Sequence, residues 1–128
     1  FIKKKKLKKI IKIIIYKKNP YPLIKHSDIF VLSSIYEGLP NVLLEAICLK
    51  KFIISSNCPT GPREILHNGK GGLLFKSKNH KELANKIIHF QKNRKKCDIM
   101  NNISQVGLER FNLKKNLNKY YETIRSEI

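Results

Sequence analysis

Glu37 and Glu45 stand eight positions apart in the run Glu37-Gly-Leu-Pro-Asn-Val-Leu-Leu-Glu45. A carboxylate accepts hydrogen bonds at both oxygens, so it suits a vicinal diol such as a ribose or a sugar. A helix opening at Pro40 would leave free N–H groups between the two acids, and such groups attract phosphate. Diphosphate at the helix start with a diol at Glu45 is a nucleotide-shaped arrangement. Spacing alone leaves a plainer assignment open, in which Glu37 caps its loop and Glu45 is a solvated helix residue favoured by the dipole.

The elements around the acids decide whether they can share a crevice. Asp28 to Ser34 is a short apolar run, which predicts a buried parallel strand over 28–34. Gly38 and Pro40 break it. Pro40 suits the first turn of a helix, where a missing N–H costs nothing. Val42, Leu43, Ala46, Ile47 and Leu49 then continue at helical spacing, which predicts a helix over 40–50. Strand, tight loop and helix in this order place a helix start at the carboxyl edge of a sheet, where open α/β folds bind ligands.

The rest of the chain alternates in the same way. A helix end is expected over about 2–9 and a strand over 11–16. Asn19-Pro-Tyr-Pro22 reads as a turn opening a short helix to His26. Strands follow at 52–56 and 72–75, with a short helix over 62–66 between them. Helices are expected at about 79–93, 95–107 and 113–126. Alternating strands and helices imply an α/β fold: a parallel sheet with flanking helices. At 128 residues the chain is one domain by length.

Other chemistries find little support. Cys48, Cys58 and Cys97 are an odd number without a C-x-x-C pair, which argues against a disulfide scaffold and for a reducing compartment. Cys48 is expected to pack in the core beside the Glu45 helix. Cys58 lies in a loop near the proposed site, but no base partner accompanies it. His26, His67, His80 and His89 lack paired spacing, and Asp28 and Asp98 are too far apart in sequence to form a D-x-D cation site. No metal is expected.

The formal charge is +18, from 27 Lys and Arg against 9 Asp and Glu. Taken alone, this points to nucleic acid or an anionic membrane. Base readers rely on the Arg fork, and the arginines are only Arg63, Arg94, Arg110 and Arg125. Basic-aromatic stacking platforms are not visible either, so no nucleic acid is expected. Nine lysines crowd the first eighteen residues, and near a membrane surface each would add about 1 kcal/mol of attraction to anionic lipid. No apolar run approaches the roughly 18 residues of a spanning helix. The Lys-rich start followed by Ile10 to Ile15 imitates an export signal, but Lys12 interrupts it and no small-residue cleavage site follows.

The run Asn19 to Ala46 resembles the C-terminal half of family-4 retaining glycosyltransferases, also called glycosyl transferases group 1. Their signature is two glutamates separated by seven residues, which Glu37 and Glu45 match. Ser55-Ser-Asn-Cys-Pro-Thr-Gly-Pro-Arg-Glu-Ile-Leu66 and Asn68-Gly-Lys-Gly-Gly-Leu-Leu-Phe75 match further motifs in the right order. The resemblance covers about residues 10 to 90.

It implies a partial Rossmann-like C-terminal domain of a GT-B enzyme over 1–128, with the acceptor-binding domain absent. Glu45 would bind the ribose hydroxyls. Glu37, as the catalytic residue, would contact the donor sugar or stabilise charge near it. The backbone of Gly38, Leu39, Pro40, Asn41 and Val42 would receive diphosphate or sugar hydroxyls. Tyr36 would line the pocket or pack beside it. Gly61 and Arg63 would lie on the same sheet edge, with Arg63 either facing the diphosphate or, as the better expectation, paired with a nearby carboxylate.

The implied reaction is transfer of a sugar from a nucleoside-diphosphate sugar, UDP favoured over GDP, to a glycan or polyprenol-linked acceptor with retention. The family generally works without a metal. The motif variants are similar to those of bacterial enzymes that build surface or lipid-linked glycans, which implies a cytoplasmic protein with peripheral contact on the inner face of the membrane. The isolated chain is expected not to turn over. The alternatives are an inactive remnant, or a basic module for anionic lipid or nucleic acid.

Overall fold

The computed structural model describes residues 7–126. Three strands form one parallel sheet in the order β1-β2-β3: β1 is Ile29–Leu32, β2 is Phe52–Ser56 and β3 is Leu73–Phe75. Ile29 pairs with Phe52 and Leu32 with Ser55, while Ile54 pairs with Leu73 and Ser56 with Phe75. Strands that step in one direction across the sheet form one half of a doubly wound fold.

The described α-helices are α1 (Tyr21–Lys25), α2 (Asn41–Cys48), α3 (Pro62–Ile65), α4 (His80–Lys92), α5 (Arg94–Gly107) and α6 (Leu113–Ser126); the first five bury residues against the cores, whereas α6 buries none. All five residues of β2 are buried, as a strand paired on both edges and covered on both faces requires. Its side chains alternate between two cores. Ile53 joins Ile24 of α1, Leu43, Ala46 and Ile47 of α2, and Ile65 and Leu66 on one face. Phe52 and Ile54 join Phe75, Phe90 of α4 and Cys97 of α5 on the other. Phe52 and Phe90 stack with ring centroids 5.0 Å apart, and the Arg94 guanidinium lies 4.0 Å from the Phe90 ring centroid. Asn79 caps α4 by accepting the Glu82 N–H at 3.0 Å.

The structure departs from three expectations of the sequence. Residues 11–16 form no strand. They pair with none of the three described strands, so their backbone gains no ladder. Their aliphatic side chains are exposed, with Ile13 at 69% and Ile15 at 98%. The expected first helix is reduced to a 3-10 turn over Leu7–Lys9, and residues 2–6 of that expectation lie outside the described residues. Cys48 is exposed instead of packed in the core. The buried face of α2 is Leu43, Ala46 and Ile47, and Cys48 falls on the face that carries Asn41 and Glu45, three and four positions apart along the helix.

Candidate functional site

The carboxyl ends of β1 and β2 feed two loops that touch. Pro40 does not occupy the first helical position but the one before it, with extended backbone at φ −74°, ψ 93°. Its carbonyl accepts the Leu43 N–H at 2.9 Å. No side chain caps α2 and no acid lies in its first turn, so Asn41 and Val42 present their N–H groups outward. These are the groups an anion would find.

The second loop is clamped onto the first. Gly61 stands at φ 78°, ψ −74°, a backbone that only glycine adopts readily. A Cβ there would lie 2.0 Å from the Gly38 carbonyl oxygen and 2.5 Å from Pro40 Cδ. The Thr60 hydroxyl donates to the Glu37 carbonyl. The Ser56 hydroxyl, at the end of β2, donates to the Ser34 carbonyl at 2.6 Å. The Thr-Gly-Pro turn thus packs directly under the Glu-Gly-Leu-Pro loop.

These contacts orient Glu37. The Ser34 hydroxyl donates to Glu37 Oε1 at 2.6 Å, and the residue is half-buried. The other carboxylate oxygen remains available as an acceptor. Glu45 is also half-buried, one turn into α2. It shares a groove of about 510 Å³ with Asn41, Leu44, Cys48 and Leu49 of α2 and with Tyr21 at the start of α1.

The structure therefore gathers Glu37, Gly38, Leu39, Pro40, Asn41, Val42 and Gly61 into one edge of the sheet, with Glu45 along the adjoining helix face. Tyr36 projects into solvent at 73% exposure and packs in no core. Arg63 is exposed on α3, and among the described residues it enters no ion pair; the expected partner carboxylate does not reach it. Arg63 lies with Thr60, Gly61, Glu64 and Asn68 in a second shallow depression on the same loop.

Sequence reasoning leaves out Ser34, Thr60 and Tyr21. The signal for the first two is the position of a hydroxyl residue at the end of a strand, beside a glycine turn, where side-chain-to-backbone bonds replace the ladder. Among the described residues no three of His, Cys, Asp and Glu gather as a metal-ligand set. No helix of the described residues is long and apolar enough to cross a membrane.

Comparisons with known proteins agree with this architecture. An uncharacterized glycosyltransferase of Methanocaldococcus jannaschii is 57% identical over 49 residues, which are 38% of this chain and 12% of that protein. The N,N'-diacetylbacillosaminyl-diphospho-undecaprenol alpha-1,3-N-acetylgalactosaminyltransferase of Campylobacter jejuni is 38% identical over 88 residues, 68% of this chain and 23% of that protein. The chain thus spans less than a quarter of the length of either relative. The crystal structure of Anabaena HepE in complex with UDP superimposes with a TM-score of 0.86 at 22% identity, covering 98% of this chain and 35% of that one. The likeness places the parallel sheet and its flanking helices among GT-B glycosyltransferases. The family model described as Glycosyl transferases group 1 matches residues 1–106, which takes in both loops, both glutamates and the whole sheet, and the chain belongs to that family.

Proposed function

We propose that residues 1–128 are the donor-binding part of a retaining glycosyltransferase, which moves a sugar from a UDP-sugar to a lipid-linked or glycan acceptor. The observation that carries this reading is the pair of clamped loops. They set an uncapped helix start, an oriented Glu37 and a groove-facing Glu45 along one edge of a parallel sheet. In this reading the diphosphate lies against the N–H groups of Gly38, Leu39, Asn41 and Val42, with Pro40 supplying shape and no donor. Glu45 accepts from the ribose hydroxyls. Glu37, held by Ser34, faces the donor sugar, and Gly61, Arg63 and Tyr36 rim the site.

Departure of the nucleoside diphosphate leaves negative charge on the β-phosphate. Oriented N–H groups stabilise that charge without reorganising during the reaction, and the exposed Arg63 guanidinium is a cation on the same edge. Glu37 acts by accepting from the sugar or by stabilising positive charge at its anomeric carbon, with no covalent intermediate required of it. Support for a UDP donor comes from the HepE complex with UDP. Support for a lipid-diphosphate-linked acceptor comes from the name of the Campylobacter relative. Such an acceptor would draw the enzyme to a membrane surface, which suits the +18 charge. The match covers 23% of the Campylobacter relative's length, and in this reading the isolated chain binds donor and does not turn over.

Calorimetric titration with UDP and GDP at two salt concentrations tests the reading. The expected result is weak, saturable UDP binding that changes little with salt and is lost in Glu45→Ala. Binding that ignores Glu45 and collapses with salt in proportion to phosphates neutralised would replace it with a basic polyanion-binding module.

A further inference from the structure

We propose that Tyr21 is the residue on which the nucleobase of the donor stacks. The inference rests on the donor reading above and extends it to a residue outside the two-glutamate motif.

A nucleoside diphosphate is a linear object, with phosphates, ribose and base in that order. The α2 start would hold the first part at Asn41 and Val42. Glu45 lies about 6 Å further along the helix axis, at about 1.5 Å per residue, and would hold the second. The base must then lie beyond the ribose, away from the helix start. The groove that holds Glu45 also offers an apolar floor and an aromatic wall. Leu44 and Leu49 line the floor, and Tyr21 of α1 stands opposite the α2 face that carries Glu45 and Cys48. Tyr21 is 47% exposed, so part of the residue is open to a ligand.

Tyr21 is also anchored. Its backbone N–H donates to Asn19 Oδ1 at 3.1 Å, and Pro20 precedes it in the cap position of α1. Ile24, one turn on, is buried in the same core as Leu43 and Ile47 of α2. The ring is thus carried on a short helix fixed against α2, so little freedom is lost when a base lands on it. Tyr21 has no visible role in the core: its neighbour Ile24 supplies the packing of α1.

An aromatic face accepts any base, because every base has a π-face. Tyr21 therefore contributes affinity for the base and not a choice between bases. The test is calorimetric titration of the 128-residue chain with UDP, GDP and inorganic diphosphate, using wild type, Tyr21→Phe, Tyr21→Leu and Tyr21→Ala. Tyr21→Phe is expected to match wild type. Tyr21→Ala is expected to lose roughly 5- to 150-fold in UDP affinity, with the ratio of UDP to GDP affinity unchanged. Tyr21→Leu keeps bulk without a π-face and is expected to fall nearly as far. Diphosphate, which has no base, is expected to bind all four proteins alike. Equal UDP affinity in wild type and Tyr21→Ala, with both losing it in Glu45→Ala, overturns the assignment of Tyr21 while leaving the donor reading standing. Equal losses for UDP and diphosphate in Tyr21→Ala show that the ring only supports the fold and also overturn it. Absence of UDP binding by wild type overturns the donor reading and this assignment with it.

Discussion

Replacing Gly61 by alanine should damage the site more than its size suggests. Gly61 sits at φ 78°, ψ −74°, a conformation that costs an L-residue about 1–3 kcal/mol. The added Cβ would lie 2.0 Å from the Gly38 carbonyl oxygen, where real Cβ contacts stay above 3.0 Å. The neighbour is backbone and cannot swing aside. One loop must therefore move by about 1 Å, and a misplacement of that size can cost a binding or catalytic site about 100-fold. The movement lands on Gly38 and Pro40, which frame the uncapped start of α2. Gly61→Ala should lose about 1–3 kcal/mol of stability in denaturant titration, and UDP affinity should fall by about 100-fold at temperatures where the variant remains folded. Gly38→Ala is the control, because nothing lies within 4 Å of its hypothetical Cβ. It should stay within about 0.5 kcal/mol of wild type. If Gly61→Ala kept wild-type stability and UDP affinity, the clamp between the two loops would not be what shapes the site.

Three further outcomes follow from particular contacts. Ser34→Ala removes the 2.6 Å bond to Glu37 Oε1; melting should show a loss of about 1 kcal/mol, and UDP-sugar affinity should weaken more than UDP affinity. The His67 ring is held below its ordinary pKa, first by burial and then by Arg110 and Lys70, with the Arg110 Nη2–H donating to Nε2 at 3.1 Å. Since folding depresses this pKa, the unfolded chain takes up the proton first, so the contribution to stability is complete above about pH 6.5 and is lost as pH falls through the folded value; unfolding midpoints measured from pH 7.5 to 5 should fall, and His67→Gln should flatten that fall. Cys48 is exposed while Cys58 and Cys97 are buried, and burial pushes the Cys97 thiol up; a thiol reagent should label Cys48 rapidly in the native protein and the other two only on unfolding.

Much of this arrangement is legible in the chain itself, and the misses have identifiable causes. β2 reads correctly as 52–56 because Phe52-Ile53-Ile54 shows no polar alternation, as burial on both faces requires, and the small Ser55 and Ser56 carry it to Asn57. The loop bearing Glu37 is announced by Gly38 and Pro40, whose backbone demands are local. Residues 11–16 carry equal strand propensity, but a strand needs a ladder partner, and none of the described strands lies beside them. Cys48 is misread because α2 has apolar residues on more than one face, so residue type does not say which face is buried. Thr60 and the Ser34 carbonyl escape notice because their contacts run between loops, as in the bond from Thr60 to Glu37 across 23 positions of chain and that from Ser56 to Ser34 across 22. The pairing expected for Arg63 fails because a surface cation gains little from an exposed partner and need not hold one.

The most direct test of the account is a backbone amide NMR titration of the chain with UDP. The clamped-loop site predicts saturable shift changes gathered at Gly38, Leu39, Asn41, Val42, Glu45 and Gly61, largely abolished in Glu45→Ala. Changes confined to the lysines of residues 9–18, growing without saturation and erased by salt, would contradict it.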